Sequence, residues 1–486
     1  MSSKTKFRLL SKRIGFRLLA ILLGLFPLLG LELLLRVSGW QVPPAEFRPV
    51  VEFIDPQSLF VLEEDHGTYR IADNRLIYFR PQSFPVKKSS DTVRIFCLGG
   101  STVQGRPYAV ETSFTTWLQI ALKELAPQQN WEVVNCGGVS YASYRLLPIL
   151  EEVLDYEPDL ILLYTGHNEF LEARTFEQLK PIRENFNFLP RLMTSMRTVE
   201  FFNQFQSRDD KFVKPLQQLP SEVDAILDYE RGVEYYQRNP IWRQGVQDQF
   251  ADNVRKMVTM CLEEKVPLFL FNPVRNLRDC PPFKSMQTAG LTNEQLHQVD
   301  SLRSQLQLNP ELAITLLTEM LSVNPDDANF HYLLAQEYLE NQELALAFKH
   351  FELACDEDLC PLRILSPMQE VLTEIATEYD VPLIDIAEYF AELSPTGISG
   401  DNLLLDHVHP TIAGHQQVAL KTLEAFAEAG YLKENPDQET RKLIEKKYLR
   451  NLRSLDTAYF ENGRQRLKNL QAWAAGRGDK IRKQAP

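Results

Sequence analysis

The chain has 486 residues, 44% hydrophobic and 24% charged, with a formal net charge of −13. That length predicts about two or three domains, the composition is that of a globular protein, and the negative balance argues against nucleic acid as the main partner. The charge is uneven along the chain. Residues 1–17 carry six basic side chains (Lys4, Lys6, Arg8, Lys12, Arg13 and Arg17) and no acid. Behind them Leu18 to Leu35 is apolar except for Glu32. This run is just short of the roughly 20 residues that span a bilayer, and Val37 to Trp40 extend it beyond Arg36. Basic residues mark the cytoplasmic side. Residues 1–17 therefore read as a cytoplasmic segment, 18–40 as a transmembrane signal anchor, and the rest as extracytoplasmic, on the periplasmic or cell-surface side. A cleaved signal peptide is the rival reading, but the apolar run exceeds the usual length and no small-x-small site follows it.

Residues 41–90, rich in Pro and aromatic side chains, read as a linker with short strands. From Thr92 the pattern becomes strand, turn, helix. The predicted strands are Val93–Leu98, Trp131–Asn135, Asp159–Tyr164, Pro267–Phe271 and Val381–Asp385. Helices are predicted around Ser113–Leu125, Tyr144–Tyr156, Gln247–Glu264 and Pro367–Tyr379. Short strands alternating with helices indicate a parallel sheet covered on both faces. The expected fold is α/β, a three-layer α/β/α sandwich around a parallel five-stranded sheet, spread over 91–300 and 361–430. Residues 171–245 show no strand pattern and read as a lid or binding wall.

A second interruption, 301–360, contains a repeat. Ala347, Phe351 and Ala354 lie 34 residues after Ala313, Leu317 and Met320, with Leu334, Ala335 and Tyr338 at the spacing of an intervening helix. Asn324-Pro325-Asp326-Asp327 reads as the turn between units. This 34-residue period resembles a tetratricopeptide repeat. Only about one and a half units are present, so the insertion must dock on the core or on another chain; an ordinary helical hairpin is the plainer alternative. The tail, 431–486, is basic: from Arg441 onward there are 13 Lys/Arg against four Asp/Glu. Leu443, Leu449, Leu452 and Leu455 suggest an amphipathic helix, suited to an anionic surface or to salt bridges with the acidic body. Of the six cysteines, Cys355 and Cys360 are the most plausible disulfide pair by proximity.

Three separated stretches carry the chemistry. Gly99-Gly100-Ser101-Thr102 and Gly166-His167-Asn168-Glu169 each follow a predicted strand, and Asp406-His407-Val408-His409-Pro410 comes late. Ligands of parallel α/β sheets bind beyond the carboxyl ends of the strands. A serine, an asparagine and an Asp/His pair brought there are nucleophile, oxyanion donor, base and base-orienter for acyl transfer. A half metal site is the alternative for Asp406 and His409, but no second His/Glu cluster with ligand spacing accompanies them. Nothing in the pattern implies a cofactor.

In this order the three stretches resemble the SGNH/GDSL hydrolase superfamily, over roughly 92–170, 247–285 and 362–430. The resemblance implies a flavodoxin-like sheet, Ser101 as nucleophile, His409 and Asp406 as its partners, and Asn168 in the oxyanion hole with the Ser101 amide. A third donor comes from the stretch Val134-Asn135-Cys136-Gly137-Gly138-Val139-Ser140, with Gly138 and Ser140 both candidates. Gly100 stands where the family motif has Asp, and Glu169 replaces the usual Asp. His407 reads as a bystander. Arg275 and Arg278, after the fourth strand, could meet an anionic group or form surface salt bridges.

The expected function is a membrane-anchored serine ester hydrolase acting on an O-acyl group, such as acetate, of an envelope or extracellular glycan, with a protein partner for the repeat. The runners-up are an O-acyltransferase using the same Ser101 and a membrane-tethered assembly or binding protein on an inactive scaffold.

Overall fold

A computed structural model describes residues 57–173, 223–286, 310–433 and 435–476, with short backbone stretches at 52–54 and 216–218. The anticipated anchor, 18–40, the basic segment before it and most of the anticipated lid lie outside the described residues. Among the described residues no helix is long and apolar enough to cross a membrane.

The stretch read as a linker contains a small antiparallel sheet, β1 (Phe60–Glu63), β2 (Thr68–Ile71) and β3 (Ser83–Pro85), paired in that order. Five parallel strands follow: β4 (Thr92–Gly99), β5 (Asn130–Gly137), β6 (Leu160–Tyr164), β7 (Leu268–Asn272) and β8 (Leu383–Asp385). They lie in the order β8-β7-β6-β4-β5, so counting from β4 as the first the order is 2-1-3-4-5, the flavodoxin-like winding. The order reverses between β4 and β6, and Gly99 of β4 is in register with both Gly137 and Tyr164. Three strands thus end level at the switch point, where a ligand crevice is expected.

The strands read as nearly continuous apolar runs because helices cover both faces. On one face Ile95, Cys97, Leu162, Phe269 and Phe271 bury against Trp117 and Leu118 of α2 (Phe114–Leu125) and Val418 and Leu423 of α10 (Ile412–Glu428). On the other lie α3 (Ser143–Leu154), α4 (Pro240–Glu263) and α8 (Ser366–Tyr379). The small sheet adds Phe60 and Phe84, whose rings meet Phe96 of β4 edge-on at 6.3 and 5.3 Å. Helix α4 begins seven residues before the sequence pattern suggests, because Asn239 caps it by accepting from the Trp242 N–H (3.0 Å) and Pro240 sits at the permitted first position.

The 301–360 stretch holds three consecutive helices, α5 (Pro310–Val323), α6 (Ala328–Glu340) and α7 (Leu344–Asp356). Ala313 and Ala347, 34 residues apart, are both fully buried, and Asp327 in the turn caps α6 at the Phe330 N–H (3.1 Å). Arg275, just beyond β7, ties this unit to the sheet. It is 2% exposed and donates to the Ile364 carbonyl (2.8 Å), Ser366 Oγ (2.7 Å), and Asp356 and Glu352 of α7 (3.2 Å each). Neither an anion subsite nor a surface bridge, Arg275 is an internal clamp. All six cysteines are free. Cys355 packs with Leu277 and Phe351, whereas Cys360 packs with Tyr236 and Leu362, so the anticipated pair is split between two apolar clusters.

The basic tail docks on the body as α11 (Gln438–Ser454) and α12 (Thr457–Ala474). Tyr448 of α11 packs on Trp117 and donates to its carbonyl (3.1 Å), while Lys447 and Arg441 pair with Glu124 (2.6 Å) and Glu424 (3.2 Å). From there α12 runs past the segment after the Ser101 turn and the residue just before Asp406. Tyr459 stacks on Tyr108 and bonds Thr112 Oγ1 (2.8 Å); Gln471 donates to the Leu405 carbonyl (3.5 Å); Trp473 donates to Asp228 (2.9 Å). At Gly463 a Cβ would run into the Tyr108 ring. Gly463→Val should therefore loosen α12, lowering stability by about 1–3 kcal/mol, read from the urea midpoint, and exposing 455–476 to limited proteolysis.

Candidate active site

Ser101 is the first residue of the four-residue helix α1 (Ser101–Gln104), directly after β4. Its Oγ is 2.7 Å from Nε2 of His409. The other ring nitrogen of His409 faces both oxygens of Asp406, at 2.8 and 3.0 Å. The structure thus joins three side chains, Ser101 being 308 residues away from His409 in sequence, into a continuous hydrogen-bonded relay.

The relay depends on a carboxylate kept ionised inside the protein. Burial opposes the charge on Asp406. His409, His407 and the backbone N–H groups of Val408 and His409, both at 2.9 Å from Oδ1, outweigh burial and hold the carboxyl well below the usual range. With Asp406 charged, the His409 proton sits on Nδ1 and leaves Nε2 as acceptor toward Ser101. His407 is buried beside it, with Nδ1 3.6 Å from Asp406 and its ring edge-on to Phe283 and His409. Burial pushes its pKa down to about 4, so it packs as a neutral ring.

Asn276 is a residue the sequence pattern did not single out. Its side chain donates to the Asp406 carbonyl (3.0 Å) and to Asp401 (2.7 Å), and its N–H donates to the His407 carbonyl (2.9 Å). It fixes the loop carrying both Asp406 and His409. Its position directly after β7, on the functional edge of the sheet, is the signal that could have revealed it. Arg278, its near neighbour, pairs with Asp279 (2.7 Å) at the surface.

The oxyanion candidates separate cleanly. The Gly138 N–H is committed to the Gly99 carbonyl at 2.9 Å, so Gly138 is not a free donor as the sequence alternative allowed. Ser140 has a positive φ of 63°, which turns its amide out of the local hydrogen-bond pattern, and among the described residues that N–H has no partner. Asn168 donates through Nδ2 to the Tyr141 carbonyl (3.0 Å), leaving its second hydrogen for another acceptor. A Cβ on Gly100 would stand 2.6 Å from that Nδ2. The bare glycine thus leaves room for the Asn168 amide.

His167 is buried. Its Nδ1 accepts from the Ile364 N–H (3.2 Å), so the neutral ring carries its proton on Nε2. Glu169 is buried and grips the start of α3, accepting from Ser143 N–H and Oγ at 2.8 Å each. Among the described residues no group of three or more His, Cys, Asp or Glu side chains could hold a metal ion.

Burial pushes Glu169 up to about 7, against the pull of Ser143. The folded state then holds this proton more tightly than the unfolded chain, so the stabilisation is full at acid pH. It is lost as pH rises from about 4.5 to 7, by on the order of 3 kcal/mol. Urea unfolding of the native chain minus that of Glu169→Gln, across this window, should give that slope; parallel curves would refute it.

The chain matches no protein-family model and no curated protein. Among solved structures it is similar to an acetyl xylan esterase, AlAXEase, at 12% identity and a TM-score of 0.32, over 68% of this chain and 99% of that one. It is similar to a protein described as lipolytic and of the G-D-S-L family, from Desulfitobacterium hafniense, at 12% identity and a TM-score of 0.30, over 68% and 99%. A further similarity is to an acetylxylan esterase from Geobacillus stearothermophilus, at 14% identity and a TM-score of 0.32, over 69% and 94%. At these scores the likenesses carry no argument about the chemistry.

Proposed function

We propose that the chain is a serine ester hydrolase of SGNH/GDSL type, removing an O-acyl group such as acetate from an envelope or extracellular glycan. The observation that carries this reading is the 2.7 Å contact between Ser101 Oγ and His409 Nε2, backed by a buried, ionised Asp406. A scaffold has no need of that relay. Next to it stand an amide without a partner at Ser140 and a half-used carboxamide at Asn168.

In this reading His409 Nε2 takes the Ser101 proton as Oγ bonds to the ester carbonyl carbon. The electron pair of the carbonyl moves to oxygen, which is held by the Ser101 and Ser140 amides and Asn168 Nδ2. Collapse of the tetrahedral species breaks the bond to the alcohol oxygen, which leaves with the proton from His409. Water, deprotonated by His409, then attacks the acyl-Ser101, and a second collapse releases the acid and returns the proton to Ser101. Asp406 stays a carboxylate throughout, stabilising the imidazolium.

The membrane anchor at 18–40 and the extracytoplasmic location belong to the same proposal, on the strength of the basic flank and apolar run. So does the reading of 301–360 as a partial tetratricopeptide-like unit, supported by buried small residues 34 apart at 313 and 347.

Treatment of the full chain in detergent with a fluorophosphonate probe tests the nucleophile. Labelling is expected in the native protein and absent in Ser101→Ala; in His409→Ala it should be strongly reduced. Folded native protein that takes no label sinks the hydrolase reading. Against an O-acetylated oligosaccharide, Asp406→Asn should lower kcat by about 10⁴ and Asn168→Ala by about 10²–10³. Supplying a sugar acceptor separates the runner-up: free acetate as the main product supports hydrolysis, and acetylated acceptor supports acyl transfer.

A further inference from the structure

Beside the nucleophile's helix, three arginines from distant parts of the chain converge with little to neutralise them. Arg106 follows α1 directly, its N–H donating to the Ser101 carbonyl at 3.1 Å. Its Nε is held by Gln104 Oε1 (3.1 Å), and the amide nitrogen of the same Gln104 donates to the carbonyls of Tyr78 and Gly137. One glutamine thus links Arg106 to the segment leading into Arg80. The Val139 N–H, donating to the Tyr78 carbonyl (3.0 Å), holds that segment against the loop bearing Ser140. From the opposite side α12 sends Arg466 onto the carbonyls of Pro107 and Tyr108.

None of the three forms an ion pair with a carboxylate among the described residues. Their visible partners are uncharged: a carboxamide for Arg106 and two carbonyls for Arg466. The exposed Glu111 acts on Arg466 only as a minor influence. Burial, with the charges of Arg80 and Arg466 behind it, lowers the Arg106 guanidinium to about 10. Moreover, Arg80 Nε is shut off from solvent and has no hydrogen-bond partner. Gathering like charges and leaving a buried donor unmet both cost stability. A bound oxyanion would offset both at once, accepting from the planar guanidinium forks.

We propose that Arg80, Arg106 and Arg466 form a binding site for an oxyanion carried by the ester substrate, a carboxylate, sulfate or phosphate. The enzyme accordingly acts on acylated acidic glycans in preference to neutral ones. This rests on the ester-hydrolase reading and narrows its substrate. Arg106 is tied to the Ser101 helix and, through Gln104, to the segment that holds the Ser140 loop, so the charged part of the substrate would lie on the Ser140 side of the nucleophile. Helix α12 supplies one of the three charges, which gives the docked tail a role in substrate choice.

The test uses the full chain and three variants, Arg80→Gln, Arg106→Gln and the double variant, with Arg80→Lys as a control that keeps the charge but not the fork. Inorganic phosphate, titrated calorimetrically, should bind the native chain at one site. Its affinity should fall about tenfold or more in each single variant and vanish in the double. Hydrolysis is then compared between two O-acetylated oligosaccharides, one bearing a uronic carboxylate and one neutral. The native chain should prefer the acidic ester by about tenfold or more in kcat/KM, and the preference should collapse in Arg80→Gln and recover in part in Arg80→Lys. Retained fluorophosphonate labelling reports a folded protein with a live Ser101 in every variant.

Absent phosphate binding in the native chain, or equal binding in the variants, overturns the site. Phosphate binding that depends on the arginines, with both esters hydrolysed alike, assigns the site to a free oxyanion and overturns the substrate assignment. Loss of labelling in the native chain defeats the hydrolase reading, and the phosphate titration then still decides the arginine site independently.

Discussion

A single buried carboxylate organises the functional edge of this molecule. Asp406 loses its water on folding, a cost that drives most buried acids toward protonation. Here the loop wraps so that two backbone N–H groups and the His409 ring all face it. The same wrap fixes the direction of the imidazole, and hence the free Nε2 that meets Ser101. Protonating Asp406 would remove the acceptor that sets the His409 tautomer and release the loop's two backbone donors. Stability of the loop and orientation of the His409 ring are one interaction seen twice. Asn276 extends it by pinning the Asp406 and His407 carbonyls from the end of β7, which makes the sheet itself part of the relay's support.

The helical insertion depends on a related solution. Three helices taken alone, α5 to α7, bury too little apolar surface and leave a flank to be covered. The chain covers it from the sheet side, where Arg275 spans from β7 to α7 and to the segment entering α8. Replacing such a buried, multiply bonded charge is costly because its partners are then stranded. Asp358 plays the mirror role just after α7, accepting from the N–H groups of Phe283, Lys284 and Cys360. Burial raises its pKa to about 6, against the pull of Arg363 and these three donors. The helical unit is therefore wired to the residues that follow β7, the stretch that also reaches the Asp406–His409 loop through Asn276.

Much of this was legible in the sequence, for identifiable reasons. Parallel strands buried on both faces leave continuous apolar runs, so all five were visible; Ser101 and Asn168 stood out because each follows such a run, and Asp406 and His409 because of their three-residue spacing. Conversely, the start of α4 was obscured: the Asn239 cap and Pro240 lie in a polar stretch with no apolar period. The choice between Gly138 and Ser140 was not decidable from residue type, since either amide could serve. It turned on the path of the backbone, which spends one amide on Gly99 and frees the other. Arg275 looked like a surface or ligand-facing charge because sequence carries no record of the acids that surround it from α7, some eighty residues on. Cys355 and Cys360 were close in sequence, yet the chain turns between two apolar clusters and separates them.

The tail shows how one basic segment can serve two purposes at once. Its overall positive charge suggested an anionic surface, or else pairing with the acidic body. Lys447 and Arg441 take the second course, pairing with Glu124 and Glu424 and adding little beyond orientation, as exposed pairs do. Apolar burial at Ile444 and Tyr448 does more to hold α11 in place. Arg466 behaves differently because its acceptors are carbonyls: they fix its position without cancelling its charge. A helix held by packing and by neutral acceptors can deliver a net cation to an otherwise acidic protein. Had Arg466 been paired with a carboxylate, its field would have been largely cancelled. The docking of α12 thus sets a cation without a carboxylate partner beside Pro107 and Tyr108 on a strongly negative chain.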